Sequence, residues 1–493
     1  MKQSRWGRPA DRDEVGSDDV HPTGAPAPRS PRRAALFGLT LLATLSALAG
    51  ACGPGEAARY DDGGAPAVEA LGEGAAPGAT AATGVTALDA LLAALPGLSP
   101  AARPAKVEAF LNDQAYSTGG FPLREGQRVA FAYFDPTNQT SSVAVAGDFN
   151  NWTPGAGPMT RAISGLGFFY RVVTFATLPT GASAYKFVRG GVYSADPSAR
   201  RYGYDSFGEF SLLSHDPQRS HLERWPGFGA GSATFAKRPL LVYVPPAGGT
   251  PGASLPVLYM HDGQNLFDPG AFGGGWGVQS RFDAAIAAGS ARRAFVVGVP
   301  NSAARFDEYT PSVDSIDGIG TVGGKGDAYV TFLANHIKPF IDGRYPTLRD
   351  RANTAVLGSS LGGLISLYAA RQRPDVFGFA GSMSGTCGWG SIGAHNPTII
   401  ELYQQKLSVE LYLDNGGDDG GGCFDADGDG LRDDNHQADD NFCENVDMRQ
   451  RLLALGWREG TDLTYRVTLG AQHNEAAWGA RMPALLHDWF PGP

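Results

Sequence analysis

Thr354-Ala-Val-Leu-Gly358-Ser-Ser360-Leu-Gly362-Gly-Leu-Ile365 reads as a strand, a tight turn and the opening of a helix. Thr354 and Val356 are β-branched, which suits a pleated strand, and Leu364, Ile365, Leu367 and Tyr368 continue at helical spacing. Gly358 and Gly362 flank Ser360, so the backbone can turn sharply and leave the hydroxyl exposed. This is the one G-x-S-x-G of the chain, and its context predicts Ser360 as a nucleophile.

Working outward, Leu240–Val244, Val257–Met260 and Phe295–Val299 are further apolar runs, separated by helical stretches such as Tyr329–Ile341. Buried strands alternating with helices describe a mostly parallel sheet covered on both faces, so residues 235–493 read as α/β. Gly470-Ala-Gln-His473-Asn-Glu-Ala-Ala-Trp478 follows a strand-like Tyr465–Leu469 near the C-terminus. A serine, then an acid, then a histidine is the chain order of α/β-hydrolases, which marks His473 as the general base. The backbone N–H of Leu361, directly after the nucleophile, is one expected oxyanion donor.

Leu258-Tyr-Met-His-Asp-Gly-Gln-Asn-Leu-Phe267, Phe306-Asp-Glu-Tyr-Thr-Pro311, Val356–Gly363 and Ala471–Trp478 together resemble an esterase family. That family contains esterase D, feruloyl and acetyl esterases, enterochelin esterases and mycolyltransferases. The resemblance spans most of 236–490 and implies an α/β-hydrolase fold with a Ser-His-acid triad. It also implies Gly263, with Gln264 next, as the second oxyanion donor. Relatives carry the acid just after a strand in a pattern like Asp-x-Gly-Thr-x-Glu/Asp. Leu411-Tyr-Leu-Asp414-Asn-Gly-Gly-Asp-Asp419 is similar and puts Asp419 at that position, with Asp414, Asp418 and Asp440 as rivals.

The formal charge of −10 is concentrated. Asp414 to Glu444 holds eleven acids against Arg432 alone, and outside it the chain beyond residue 51 is nearly neutral. Nucleic-acid binding needs a basic stripe, which this balance argues against. Within the insertion at 418–444, Asp425-Ala-Asp-Gly-Asp-Gly-Leu-Arg-Asp433 resembles EF-hand and thrombospondin-type calcium loops. That resemblance implies Asp425, Asp427, Asp429 and Asp433 around a structural Ca2+, with no cofactor for catalysis itself. Cys423 and Cys443 bracket the acids and are the expected disulfide, leaving Cys387 as a single thiol.

Upstream, residues 1–51 pair Arg29, Arg32 and Arg33 with an apolar run and small residues, as an export signal does. The run ends Leu48-Ala-Gly-Ala-Cys52, which resembles a bacterial lipoprotein box and implies lipidation at Cys52. Residues 52–86 are an Ala/Gly/Pro-rich tether, and 87–123 show short helical spacing. Between 124 and 214, short strands with turn signals predict an all-β, immunoglobulin-like sandwich. Val143-Ala-Val-Ala-Gly147-Asp-Phe-Asn-Asn-Trp152, Tyr185-Lys-Phe187 and Asp196-Pro197 resemble the glycogen-binding domains that precede branching enzymes and isoamylases. Sugar-binding members grip their ligand through positions matching Trp152, Lys186 and Tyr193. Residues 215–234 read as a linker.

These readings predict a secreted or surface-anchored serine carboxylic-ester hydrolase. Its expected partner is an ester substrate, of acylated-carbohydrate or siderophore type. Membrane contact is expected through the lipid alone, with an outer-membrane, cell-surface or periplasmic location. The competing readings are an acyltransferase to a sugar acceptor and a non-catalytic carbohydrate-binding surface protein.

Overall fold

The computed structural model describes residues 83–229, 235–249, 252 and 254–492. The expected export signal, Cys52 and the tether up to residue 82 lie outside these residues. Among the described residues no helix is long and apolar enough to cross a membrane.

Two helices come first, α1 (Gly84–Ala94) and α2 (Arg103–Ala115), so helix replaces tether from Gly84 onward. They bury Val85, Leu88, Leu91, Val107 and Phe110 against a small sheet. That sheet runs in the order β1 (Leu123–Glu125), β2 (Arg128–Phe134), β5 (Phe168–Thr174), β4 (Thr160–Arg161). Strand alternation explains the double burial of β2. Ala130 and Ala132 face the helices, where small side chains let them approach, while Val129 and Phe131 face the other way. On that second side they meet Val145, Tyr185, Phe187 and Leu213.

The latter belong to β3 (Ala144–Gly147), β6 (Ser183–Arg189) and β9 (Gly208–Ser214). With β7 (Val192–Ser194) and β8 (Arg201–Asp205) these strands form the far end of one 13-stranded sheet. Its other end holds β11 (Arg238–Val244), β12 (Val257–His261), β13 (Phe295–Val299), β16 (Thr354–Ser359), β17 (Phe379–Met383), β18 (Glu410–Asn415) and β19 (Leu463–Val467). From β13 through β12, β16, β17 and β18 to β19 every pairing is parallel. This is the buried α/β sheet that the apolar runs predict. Helices α3 (Val278–Ala287) and α6 (Glu475–Trp489) pack on one face with Trp276, Val278, Phe282, Met482 and Leu485. α4 (Leu361–Gln372) and α5 (Phe442–Ala454) cover the other through Leu364, Ile365, Met448 and Leu452. The stretch read as one helix over Tyr329–Ile341 is two α-helical pieces joined by a π turn at Leu333–Ile337. A two-stranded hairpin, β14 (Val313–Ile316) and β15 (Gly320–Gly323), stands apart.

The linker expected at 215–234 is corrected by the structure. β10 (His221–Phe228) lies there and pairs antiparallel with β8 on one side and β11 on the other, making the long sheet continuous. Its charges are satisfied internally. Glu223 accepts from Tyr345 Oη at 2.8 Å and lies 3.1 Å from Arg201 Nε. Burial alone would raise this carboxyl, but His221 and Arg201 hold it down at about 2. Trp225, 5% exposed, sits under the Arg200 guanidinium, 3.1 Å from its ring centroid, and donates from Nε1 to Tyr345 Oη at 2.8 Å.

A chain beginning at Ala233 would lose β10 and leave the edge of β11 open, so it should fail to give soluble, cooperatively folded protein. In the full chain Trp225→Ala should cost about 3–5 kcal/mol. Denaturant titration of both checks this: a shortened chain that unfolds like the full one would restore the linker reading.

Candidate active site

Strand β16 delivers Ser360 at its C-terminal end. Ser360 is the residue before α4 and adopts φ 56°, ψ −128°, a strained conformation that points the side chain off the turn. Gly358 is required by close approach, since a Cβ there would lie 2.5 Å from the Gly362 carbonyl oxygen. Leu361 opens α4, where the first amides have no intrahelical acceptor. Ser360 Oγ is 3.3 Å from Thr386 Oγ1, and the Thr386 N–H donates to the Ser360 carbonyl at 3.2 Å.

Strand β12 ends at His261, and the next residue turns into a short 3-10 segment, Gly263–Asn265. Asp262, at φ 52°, opens that segment, with its carboxylate held by Arg305 through Nε and Nη2, both at 2.8 Å. The segment abuts the elbow: a Cβ on Gly362 would lie 3.3 Å from His261 Cβ and 3.4 Å from Asp262 Oδ2. The backbones of Leu361 and Gly263, the two expected oxyanion donors, therefore belong to segments in contact.

His473 lies in the loop after β19. Its Nδ1 is 2.7 Å from Asp440 Oδ1, and this is the ring's hydrogen bond among the described residues. The ring stands edge-on to Trp478, with centroids 4.9 Å apart. Asp440, and not the expected Asp419, is the carboxylate that the structure sets against His473. Asp419 is exposed and caps its own loop, accepting from the Gly421 N–H at 3.1 Å. The physical reason is the insertion. It leaves the sheet after Gly417 and folds back, so that the Asp439 N–H donates to the Asp418 carbonyl at 3.1 Å. Asp440 then stands at the end of β18, accepting from the Gly416 N–H. Asp418 is likewise exposed, bonded to the Gly420 N–H.

The second oxygen of Asp440 accepts from Ser384 Oγ at 2.6 Å and from the Gly416 N–H. Ser384 Oγ in turn accepts from Trp478 Nε1 at 2.9 Å and Arg481 Nη2 at 2.7 Å. Asn441 Nδ2 reaches both the Ser384 carbonyl at 3.0 Å and Thr386 Oγ1 at 3.3 Å, linking the acid's loop to the neighbour of Ser360. Arg481 also pairs with the remaining rival, Asp414, at 3.0 Å. Burial pushes Asp414 up to about 6 despite that charge. Ser384, Thr386, Asn441 and Arg481 escape sequence reading, because polar residues carry no periodic signal. Asp440-Asn441 ahead of the α5 periodicity was the one usable cue, a helix-start pair.

A disulfide joins Cys423 to Cys443, and Cys387 is buried and free. Of the four expected metal ligands the structure gathers two. Oxygens of Asp425, Asp427 and Asp434 lie within 4.8 Å of one another. Asp429 Oδ1 instead accepts from the Leu431 N–H at 2.7 Å, and Asp433 faces Ser391 Oγ at 3.3 Å. In the N-terminal part Tyr193 Oη meets the Trp152 carbonyl at 3.3 Å, with Tyr193 exposed. Lys186 is buried and donates to the Phe207 carbonyl at 2.8 Å, so its ammonium is committed to that turn.

Residues 232–489 match a family model described as "Putative esterase". An uncharacterized protein YbbA of Bacillus subtilis (strain 168) is 30% identical over 155 residues, which are 30% of this chain and 57% of that protein. The siderophore triacetylfusarinine C esterase of Aspergillus fumigatus is 29% identical over 161 residues, 32% of this chain and 50% of that protein. The chain thus spans about half the length of the curated relatives it matches. Among solved structures, the enterobactin esterase FES of Shigella flexneri aligns at 15% identity and TM-score 0.38, covering 76% of this chain and 97% of that one.

Arg481→Met would leave buried Asp414 and Asp440 without their shared cation, which should cost about 3–5 kcal/mol at pH 8. Asp414 has its folded pKa raised, so the fold favours its protonated form and the group is neutral below about pH 6. The loss should therefore shrink at pH 5. Urea titrations at the two pH values check this, and an equal loss at both would refute it.

Proposed function

The chain belongs to the Putative esterase family, and from that premise we propose that it is a serine carboxylic-ester hydrolase working through an acyl-enzyme on Ser360. The observation that carries the reading is the His473–Asp440 hydrogen bond, held in one polar network with the elbow of Ser360. In the mechanism, Ser360 Oγ attacks the acyl carbonyl while His473 Nε2 takes its proton. Asp440 holds the Nδ1–H tautomer and stabilises the imidazolium. The Leu361 and Gly263 N–H groups receive the developing oxyanion. Collapse expels the alcohol, which takes the proton from His473. Water then adds to the acyl-enzyme with His473 again as base, releasing the acid and restoring Ser360.

For the substrate we favour a siderophore-type or acylated-carbohydrate ester. The first rests on the fungal siderophore esterase among the relatives, the second on the Trp152–Tyr193 pair at the far end of the sheet. Export with lipidation at Cys52 belongs to the same proposal. Release of free acid rather than an acylated sugar distinguishes hydrolysis from acyl transfer.

A fluorophosphonate probe should label the wild type at Ser360 and leave Ser360→Ala unlabelled. On p-nitrophenyl acetate, Asp440→Asn should lower kcat by roughly 10⁴-fold, as loss of the correct tautomer does in other triads. Asp419→Asn should keep near-wild-type turnover. The reverse ranking would return the acid to Asp419.

We further propose that Asp425, Asp427 and Asp434 hold a structural Ca2+ at the disulfide-closed insertion. Three carboxylates within reach of one point offer the hard oxygen ligands that calcium takes. Calcium at a hundredfold excess over its Kd should stabilise the fold by about 2.7 kcal/mol. Thermal melts with millimolar calcium and with EDTA check this. The difference between them should vanish in Asp425→Asn/Asp427→Asn, and its absence in the wild type would remove the ion.

A further inference from the structure

We propose that Glu475 is a positioning residue whose carboxylate fastens the loop carrying His473 to the turn carrying Gly263, so that base and oxyanion donor move as one unit. This rests on the hydrolase reading above. Glu475 follows His473 by two residues, opens α6 and is only 3% exposed. Its Oε1 accepts from Asn265 Nδ2 at 2.9 Å, a contact across 210 residues of sequence. Asn265 is the last residue of the short segment that begins at Gly263. The Asn265 N–H donates to the Asp262 carbonyl at 2.9 Å, and its own carbonyl accepts from the Trp276 N–H at 2.9 Å. One side-chain contact therefore meets the segment where its backbone is already pinned on both sides.

The surroundings leave this carboxylate little freedom. Gly273 lies over its other oxygen: at φ 63°, a Cβ there would fall 2.0 Å from Glu475 Oε2. Oε2 has no hydrogen-bond partner among the described residues. Burial pushes the carboxyl up to about 7, with Asp262 raising it further while Arg305 and His473 pull it down. A buried acid with an unpaired oxygen is a poor choice for packing alone. Its geometry suits positioning. The close approach of Gly362 to His261 and Asp262 sets the Gly263 segment against the nucleophile's side. Glu475 ties it to the base's side, where Trp478 packs between His473 and Trp276 at centroid distances of 4.9 and 5.9 Å. An oxyanion donor works only at a fixed distance from the atom where charge develops, so loosening this tie should act on the transition state rather than on ground-state binding.

The test compares the full-length wild type with Glu475→Ala, Glu475→Gln, Asn265→Ala and the double Glu475→Ala/Asn265→Ala on p-nitrophenyl acetate, with thermal melts to confirm folding. Glu475→Ala and Asn265→Ala should each lower kcat by roughly 10–100-fold with KM unchanged within about twofold, since small misplacements act on the reacting geometry. The double variant should lose no more than the worse single, because both remove one contact. Glu475→Gln keeps an oxygen that accepts from Asn265 and should retain kcat within about threefold of wild type. Wild-type kcat in Glu475→Ala, a loss in KM alone, additive losses in the double variant, or failure of Glu475→Gln to restore turnover would each overturn the proposal. A wild type inactive on every ester would instead overturn the hydrolase reading.

Discussion

The hydrogen bond from His473 to Asp440 organises the C-terminal ends of the parallel strands, because it can form only if an acid is carried back to the edge of β18 after a long excursion. Asp440 uses both oxygens: one meets His473, the other meets Ser384 and the Gly416 amide at the ends of β17 and β18. A carboxylate held that way cannot rotate, so the imidazole it orients is fixed relative to the sheet. The excursion that returns it is closed at its base by the Asp439–Asp418 backbone bond and farther out by the Cys423–Cys443 disulfide. Loop closure grows only slowly with length, so the acid-rich detour costs little once its ends are pinned. Arg481 answers the remaining electrostatic difficulty by standing between two buried carboxylates.

The same economy appears at the other end of the sheet. β10 is the strand that makes two groups of strands into one sheet, and it is an unusual central strand, with His221, Glu223 and Arg224 inside it. It persists because Glu223 and Arg224 meet partners from other elements: Arg201 from β8, Glu209 from β9, and Tyr345 from the turn ahead of β16. Parting the two groups would expose those charges unpaired along with Trp225, so the junction resists hinging even though its sequence is polar.

These two places explain what could and could not be read from the chain. The Ser360 elbow, the apolar strands β11, β12, β13 and β16, and His473 after a strand-like run were legible because each depends on local pattern: glycine spacing, period and chain order. β10 was illegible because Pro226-Gly227 and its charges look like a connector, and the pairing register does shift between Trp225 and Phe228. Its strand character comes from partners distant in sequence. The choice among four aspartates was open for the same reason. Family spacing points to Asp419, with Asp414, Asp418 and Asp440 as rivals, and only the returning backbone decides that Asp440 stands beside His473. The acidic loop shows a milder form: Asp425 and Asp427 follow the expected pattern, whereas Asp434 gathers with them in place of Asp429 and Asp433, the latter turned toward Ser391.

Backbone strain shows where this architecture is under tension. Asp262, Ser360, Ser384, Asp440 and Asn441 all have positive φ; the last four belong to the hydrogen-bonded network around the elbow, and Asp262 is held beside it by Tyr309 and Arg305. Left-handed residues other than glycine cost on the order of 1–3 kcal/mol each and persist only where surrounding structure over-determines them. For Asp and Asn the cost is at the low end, since their short side chains tolerate this region. For Ser360 and Ser384 the parallel strands supply the restraint: β16 and β17 are paired up to Ser359 and Met383, so each serine is the first residue free to turn. The Ser360 amide then donates to the Met383 carbonyl at 3.0 Å, and the Ser384 amide to the Asp414 carbonyl at 2.6 Å. Each strained turn is thus clamped to the neighbouring strand's end. Rigid sheet pairing, rather than any property of the loops themselves, is what holds the turns that carry Ser360 and Ser384 in their strained conformations.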